Sequence, residues 1–269
     1  MNSFATAATA LLLSATLAGA GQLVIKGSDT LGAKLVPQWA EAYQAAHPET
    51  TFNIAAEGSS TAFAALLEKS ADIGMSSRKA KATEVSAAAA RGVKLNEITV
   101  AHDGLGVIVN EGNPVRSLTR EQVEQIFTGD VTDWSALGGD PGAISVYTRN
   151  TSSGTYADFK ELAMSKRDYA GSAQKMAGNE QIASEVAKNA AGIGYVGMAY
   201  LKTPGIRALE VDGAAPTAEA VQKKSYPLAR PVFLYTDGEP AGEAKGFIDY
   251  ALGTDGQRVV EEVGFVPVK

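Results

Sequence analysis

Four short stretches of this sequence gather hydroxyl groups around glycine or arginine: Gly27-Ser28-Asp29-Thr30, Gly58-Ser59-Ser60-Thr61, Ser76-Ser77-Arg78 and Arg149-Asn150-Thr151-Ser152-Ser153-Gly154-Thr155. Only the first contains an acid. Each follows an apolar run that reads as a strand and precedes a run with helical spacing. The first turn of a helix leaves backbone N–H groups without partners and carries partial positive charge. Serine and threonine add O–H donors there, glycine at 58 and 154 lets backbone approach a ligand closely, and a guanidinium such as Arg149 forks onto two oxygens. These parts suit non-covalent capture of an oxyanion. Taken singly, each loop reads as a helix cap, since Ser, Thr, Asp and Asn are the commonest N-caps. Repetition at four strand ends is what points to a ligand.

The loops act together only if a parallel α/β sheet brings the carboxyl ends of its strands to one edge, where open α/β folds bind ligands. The pattern predicts such a sheet. Strands are expected at 23–26, 52–55 and 71–75, each followed by one of the loops and then a helix. In the first helix Leu31, Leu35, Trp39, Tyr43 and Ala46 recur at helical spacing, and Pro37 fits only in a first turn or at a kink. Apolar runs at 98–100 and 105–109 read as a segment leaving this first lobe. Beyond it, Thr119 to Gln122 has capping-box spacing for a helix running to 127. A strand at 144–148, helices at 156–164 and 181–189 and a strand at 193–196 build a second lobe. The run 232–235 crosses back, and helices at 244–252 and 256–263 complete the chain.

A chain of 269 residues is long enough for two lobes that each bury a core. A net charge of −6 without a basic run argues against nucleic acid, so any anion must be captured locally. Residues 1–20 carry no charged side chain, have an apolar centre at 10–17 and end in Ala18-Gly19-Ala20, which reads as a signal peptide. With no cysteine there is no disulfide, no thiolate metal site and no lipid-modified cysteine, so a soluble periplasmic protein without a lipid anchor is expected. Neither cofactor nor metal is expected. The two histidines, His47 and His102, lie far apart in sequence, and no G-x-S-x-G occurs. Acyl transfer and zinc chemistry therefore lack their parts, and a secreted phosphatase is a poor alternative.

A set of motifs extends the reading. Gly27-Ser28-Asp29-Thr30, Ala71-Asp72-Ile73-Gly74-Met75-Ser76-Ser77-Arg78, His102-Asp103-Gly104 with Val107-Ile108-Val109-Asn110, Ile126-Phe127-Thr128-Gly129 leading to Trp134, Arg149 with Ser153-Gly154-Thr155, Gly192-Ile193-Gly194-Tyr195-Val196 and Tyr226-Pro227-Leu228-Ala229-Arg230-Pro231 occur in that order. Together they resemble the phosphate-binding component of bacterial phosphate ABC importers, over essentially the whole chain after residue 20. The resemblance implies a two-lobed class II periplasmic binding protein fold, each lobe an α/β sheet flanked by helices, with two crossing segments. Residues 21–104 and 232–269 would form one lobe and 105–231 the other. It also implies a monomer that holds inorganic phosphate between the lobes and delivers it to a membrane permease.

By the same resemblance, Ser28, Asp29 and Thr30 cap the anion from the first lobe, with Ser59 or Ser60 from the second loop; the loop pattern itself adds Ser76, Ser77 and Arg78 from the third. Arg149, Ser153, Gly154 and Thr155 close from the opposite lobe. Long members of the family carry, where this chain has Ser77, an aspartate that accepts the proton of hydrogen phosphate. Here Asp103 or Asp29 is the candidate acceptor, although Asp29 reads equally as a helix cap and Asp103 as a turn residue. Without an acceptor, a receptor for sulfate, molybdate or tungstate is the alternative, because a fully ionised dianion needs donors only.

Overall fold

The computed structural model describes residues 21–268; the signal-like segment at 1–20 lies outside the described residues. Leu23 and Ile25 alternate inward along β1 (Gln22–Gly27), which pairs in parallel with β2 (Thr51–Ala55) and β3 (Ile73–Ser76). Between these strands run α1 (Asp29–Gly32), α2 (Leu35–Ala46) and α3 (Ser59–Leu67). Pro37 is the third residue of α2, where a missing N–H breaks no helical bond, and the helix expected to be continuous is interrupted at Ala33-Lys34. After α4 (Ala82–Ala90) comes β4 (Leu95–Asn110), a single strand of 16 residues.

β4 is the member that joins the lobes. Residues 95–104 pair antiparallel with the returning strand β11 (Ala229–Asp237), which in turn pairs with β3. Residues 105–110 pair with β8 (Gly192–Gly197) and β9 (Ile206–Ala208) in the second lobe. His102-Asp103-Gly104 reads as a break in the sequence, yet the backbone stays extended through it because Arg230 lies directly across from Asp103 on β11.

The second lobe places β6 (Ser145–Arg149) parallel to β8 and to β7 (Gln174–Met176), with a small parallel pair of β5 (Ser117–Leu118) and β10 (Glu210–Val211) beside it. Its helices are α5 (Arg120–Thr128), α6 (Gly154–Ala163), α7 (Asn179–Lys188) and α8 (Ala218–Gln222). The expected capping box opens α5: Thr119 Oγ1 accepts from Gln122 N–H while Gln122 Oε1 accepts from Thr119 N–H. The core beneath α5 and α6 is aromatic, with Phe159 stacked on Tyr195 at 3.9 Å. The first lobe is completed by α9 (Gly242–Leu252) and α10 (Thr254–Val263), whose Phe247 and Val260 pack with Trp39, Val232 and Leu234.

Candidate anion-binding site

Helix starts from both lobes face one another. The hydroxyls of Thr30 on α1 and Thr155 on α6 lie 2.9 Å apart. Ser60 N–H donates to Ser152 carbonyl at 3.0 Å, and Ser152 Oγ donates to Glu57 carbonyl at the same distance. Two glycines permit this approach. Gly58 has φ +123°, and a Cβ there would stand 2.6 Å from Ser152 Oγ. At Gly154 a Cβ would stand 2.6 Å from Ser77 Oγ and closer still to Ser59 Oγ. The lobes are therefore closed on each other, with the hydroxyls of Ser59 and Ser77 against the first residue of α6.

Arg149 ends β6 and is 1% exposed. Its Nε and Nη2 donate to the Ala177 carbonyl at 3.1 and 2.7 Å, which fixes the guanidinium plane. Its Nη1 lies 3.1 Å from Asp29 Oδ2 yet makes no hydrogen bond, so a buried, charged donor is left over. Burial pushes the Arg149 guanidinium below its ordinary pKa, and Asp29 opposes the shift. At the neighbouring helix start, Ser153 is the N-cap and its Oγ accepts from Tyr156 N–H at 3.2 Å. The hydroxyl proton of Ser153 and the N–H groups of Gly154 and Thr155 then have no partner within the helix.

Behind these donors stand two residues that the sequence reading did not place in the site. Asn179 opens α7 and donates from Nδ2 to Asp29 Oδ2 at 2.7 Å and to Thr30 Oγ1 at 3.2 Å. Arg230 donates from Nη2 to Thr155 Oγ1 at 2.9 Å and to Asp103 Oδ2 at 3.0 Å. The signal for Asn179 was present: Gly178-Asn179 ahead of a helical run is a loop-to-helix start, two residues before the helix expected at 181. Arg230 is the second residue of β11, and its partners Asp103 and Asp158 lie on other elements far away in sequence.

Four expected site residues are engaged elsewhere. Asp103, fully buried, pairs with Arg230 and accepts Met198 N–H at 3.0 Å, so it is neither a turn residue nor a free acceptor for a ligand proton. Asp29 does not cap its helix; it accepts the backbone and side-chain N–H of Asn179 and faces Arg149. Arg78 forks onto Glu84 at 2.6 and 2.7 Å, donates to Ser60 Oγ and lies over the Phe63 ring, so its charge is neutralised inside its own lobe. Ser76 Oγ donates to the Arg78 carbonyl at 2.7 Å. Ser28 is buried at the start of α1, with no side-chain cap bond. Among the described residues no group of three or more His, Cys, Asp or Glu is placed to hold a metal.

Comparison with known proteins agrees with this architecture. Residues 14–255 match the model of a PBP superfamily domain. The phosphate-binding protein PstS of Pseudomonas aeruginosa is 35% identical, over 92% of this chain and 83% of that protein. The chain belongs to the PBP superfamily and, within it, to the family of phosphate-binding proteins. Another member of this family, PstS of Bacillus subtilis, is 32% identical over 92% of this chain and 81% of its own length. In structure, a phosphate ABC transporter substrate-binding protein of Clostridium perfringens with bound phosphate superposes with a TM-score of 0.86 and 33% identity, covering 93% of this chain and 100% of that one. The phosphate transport receptor of Vibrio cholerae gives 0.75 and 30%, covering 91% and 99%.

Proposed function

We propose that this chain is an extracytoplasmic receptor that takes inorganic phosphate between its lobes and passes it to the membrane permease of an ABC importer. The site is formed by Thr30, Ser59, Ser77, Arg149, Ser153, Gly154 and Thr155, with Ser28 at the edge. The observation that carries the reading is Arg149 Nη1, a buried cationic donor without a hydrogen-bond partner, beside the unpartnered N–H groups of a helix start. Hydrogen bonds to charged groups contribute about 1.5–3 kcal/mol each, so four or five supply about 6–15 kcal/mol, a range that spans the roughly 8 kcal/mol of a micromolar complex. Binding needs no bond-making step. The hydroxyl pair Ser59 and Ser77, 3.2 Å apart, can accept as well as donate and is the acceptor available for the proton of hydrogen phosphate.

The relatives named for phosphate binding, and the phosphate held by the C. perfringens protein, support the choice of ligand. Calorimetry on protein unfolded, dialysed free of phosphate and refolded should give a micromolar or tighter phosphate complex that a tenfold excess of sulfate does not displace. Arg149→Ala should weaken it at least 100-fold. Absence of phosphate binding by the refolded wild type would refute the proposal.

A further inference from the structure

Asn179 is fully buried, and its amide orientation is dictated by its neighbours. Gly197 presents an N–H at 3.1 Å, so the atom facing it is the acceptor Oδ1. Nδ2 is thereby turned toward Asp29 and Thr30, and the backbone N–H of Asn179 adds a third bond, to Asp29 Oδ2 at 3.0 Å. Asn179 and Gly197 belong to the second lobe, Asp29 and Thr30 to the first. Gly178 leaves room for this approach, since a Cβ there would stand 2.8 Å from Asp29 Oδ1.

We propose that Asn179 is a positioning residue that couples lobe closure to the direction of the site's hydroxyl protons; this rests on the anion-capture reading above. Nδ2 occupies a lone pair of Thr30 Oγ1 just as Arg230 Nη2 occupies one of Thr155 Oγ1. With one lone pair of each oxygen filled from behind, the 2.9 Å bond between the two hydroxyls takes only one of their protons and leaves the other for an acceptor placed between the lobes. The three bonds from Asn179 to the first lobe exist only once the lobes have met, so they hold the closed state and act on release of the anion rather than on its capture.

Stopped-flow kinetics with inorganic phosphate tests this. Asn179→Ala should raise the dissociation rate about 10- to 100-fold while the association rate stays within about threefold. Asp29→Ala together with Asn179→Ala should be no worse than the more affected single variant. A dissociation rate unchanged from wild type overturns the proposal. So does an equal loss in both rates with a lower melting temperature of the ligand-free protein, which would make Asn179 merely a helix-start residue. If the wild type does not bind phosphate, the phosphate reading fails and the latch is read separately. Because the chain has no cysteine, spin labels at Glu41→Cys and Lys188→Cys report the lobe separation directly. Asn179→Ala should then broaden and lengthen the distance distribution, and an unchanged distribution overturns the latch.

Discussion

The hydroxyl oxygens of Thr30 and Thr155 stand 2.9 Å apart across the two lobes, from residues 125 positions apart in the chain. Neither threonine is adjustable. The backbone of each begins a helix, and each oxygen receives a bond from a buried side chain of a different element, Asn179 for one and Arg230 for the other. Thr30 gains its bond from Asn179 only when the lobes meet, so closure itself completes the donor set.

Gly154 separates folding from closure. It is the first residue of α6 without a positive φ, so alanine there suits the helix itself. The added Cβ collides instead with Ser59 and Ser77 of the other lobe. Gly154→Ala should leave the urea midpoint of the ligand-free protein unchanged or slightly raised, while calorimetry shows phosphate affinity reduced at least 100-fold. Wild-type affinity would mean that the lobes do not approach this closely around the anion.

Asp103 and Arg230 are 0% and 3% exposed in their side chains, so removing one leaves a buried charge without its partner. Arg230→Met should cost about 3–5 kcal/mol in denaturant unfolding. The double variant Asp103→Leu with Arg230→Met should recover much of that loss. Phosphate affinity should stay low in both, because Thr155 has lost the donor that orients it. A double variant with full affinity would remove Arg230 from the site's support.

Asp158 makes a pH-dependent contribution. Burial pushes its carboxyl from the usual 3.8 up to about 6, with the Arg230 guanidinium opposing. The folded chain therefore holds this proton more tightly than the unfolded chain. The stability that Asp158 provides below about pH 4 is lost as pH rises through about 6, a change of up to about 3 kcal/mol. Asp158→Asn cannot titrate, so the stability difference between variant and wild type should grow in the variant's favour between pH 4 and 7. Parallel stability curves over that range would contradict it.

Local patterns made much of this molecule legible. Period-two burial in β1, the capping box at Thr119 and the hydroxyl loops at strand ends are written in neighbouring residues. What could not be read depends on partners far away in sequence. Asp103 looks like a turn residue until Arg230, 127 positions later, is seen across from it. Arg78 looks like an anion ligand until Glu84 folds back onto it through the start of α4. Asn179 drew no notice because an asparagine at a helix start is ordinary; its significance lies in the two residues of the other lobe that it touches.

The return of the chain through β11 has a consequence for biosynthesis. Trp39, near the beginning, donates its indole N–H to the carbonyl of Gly256, and the core around it draws on Val232, Phe247 and Phe265. The first lobe thus completes its interior only when the last residues have emerged. The second lobe draws its core almost wholly from residues 105–228 and closes without them, whereas the first waits for its final helices.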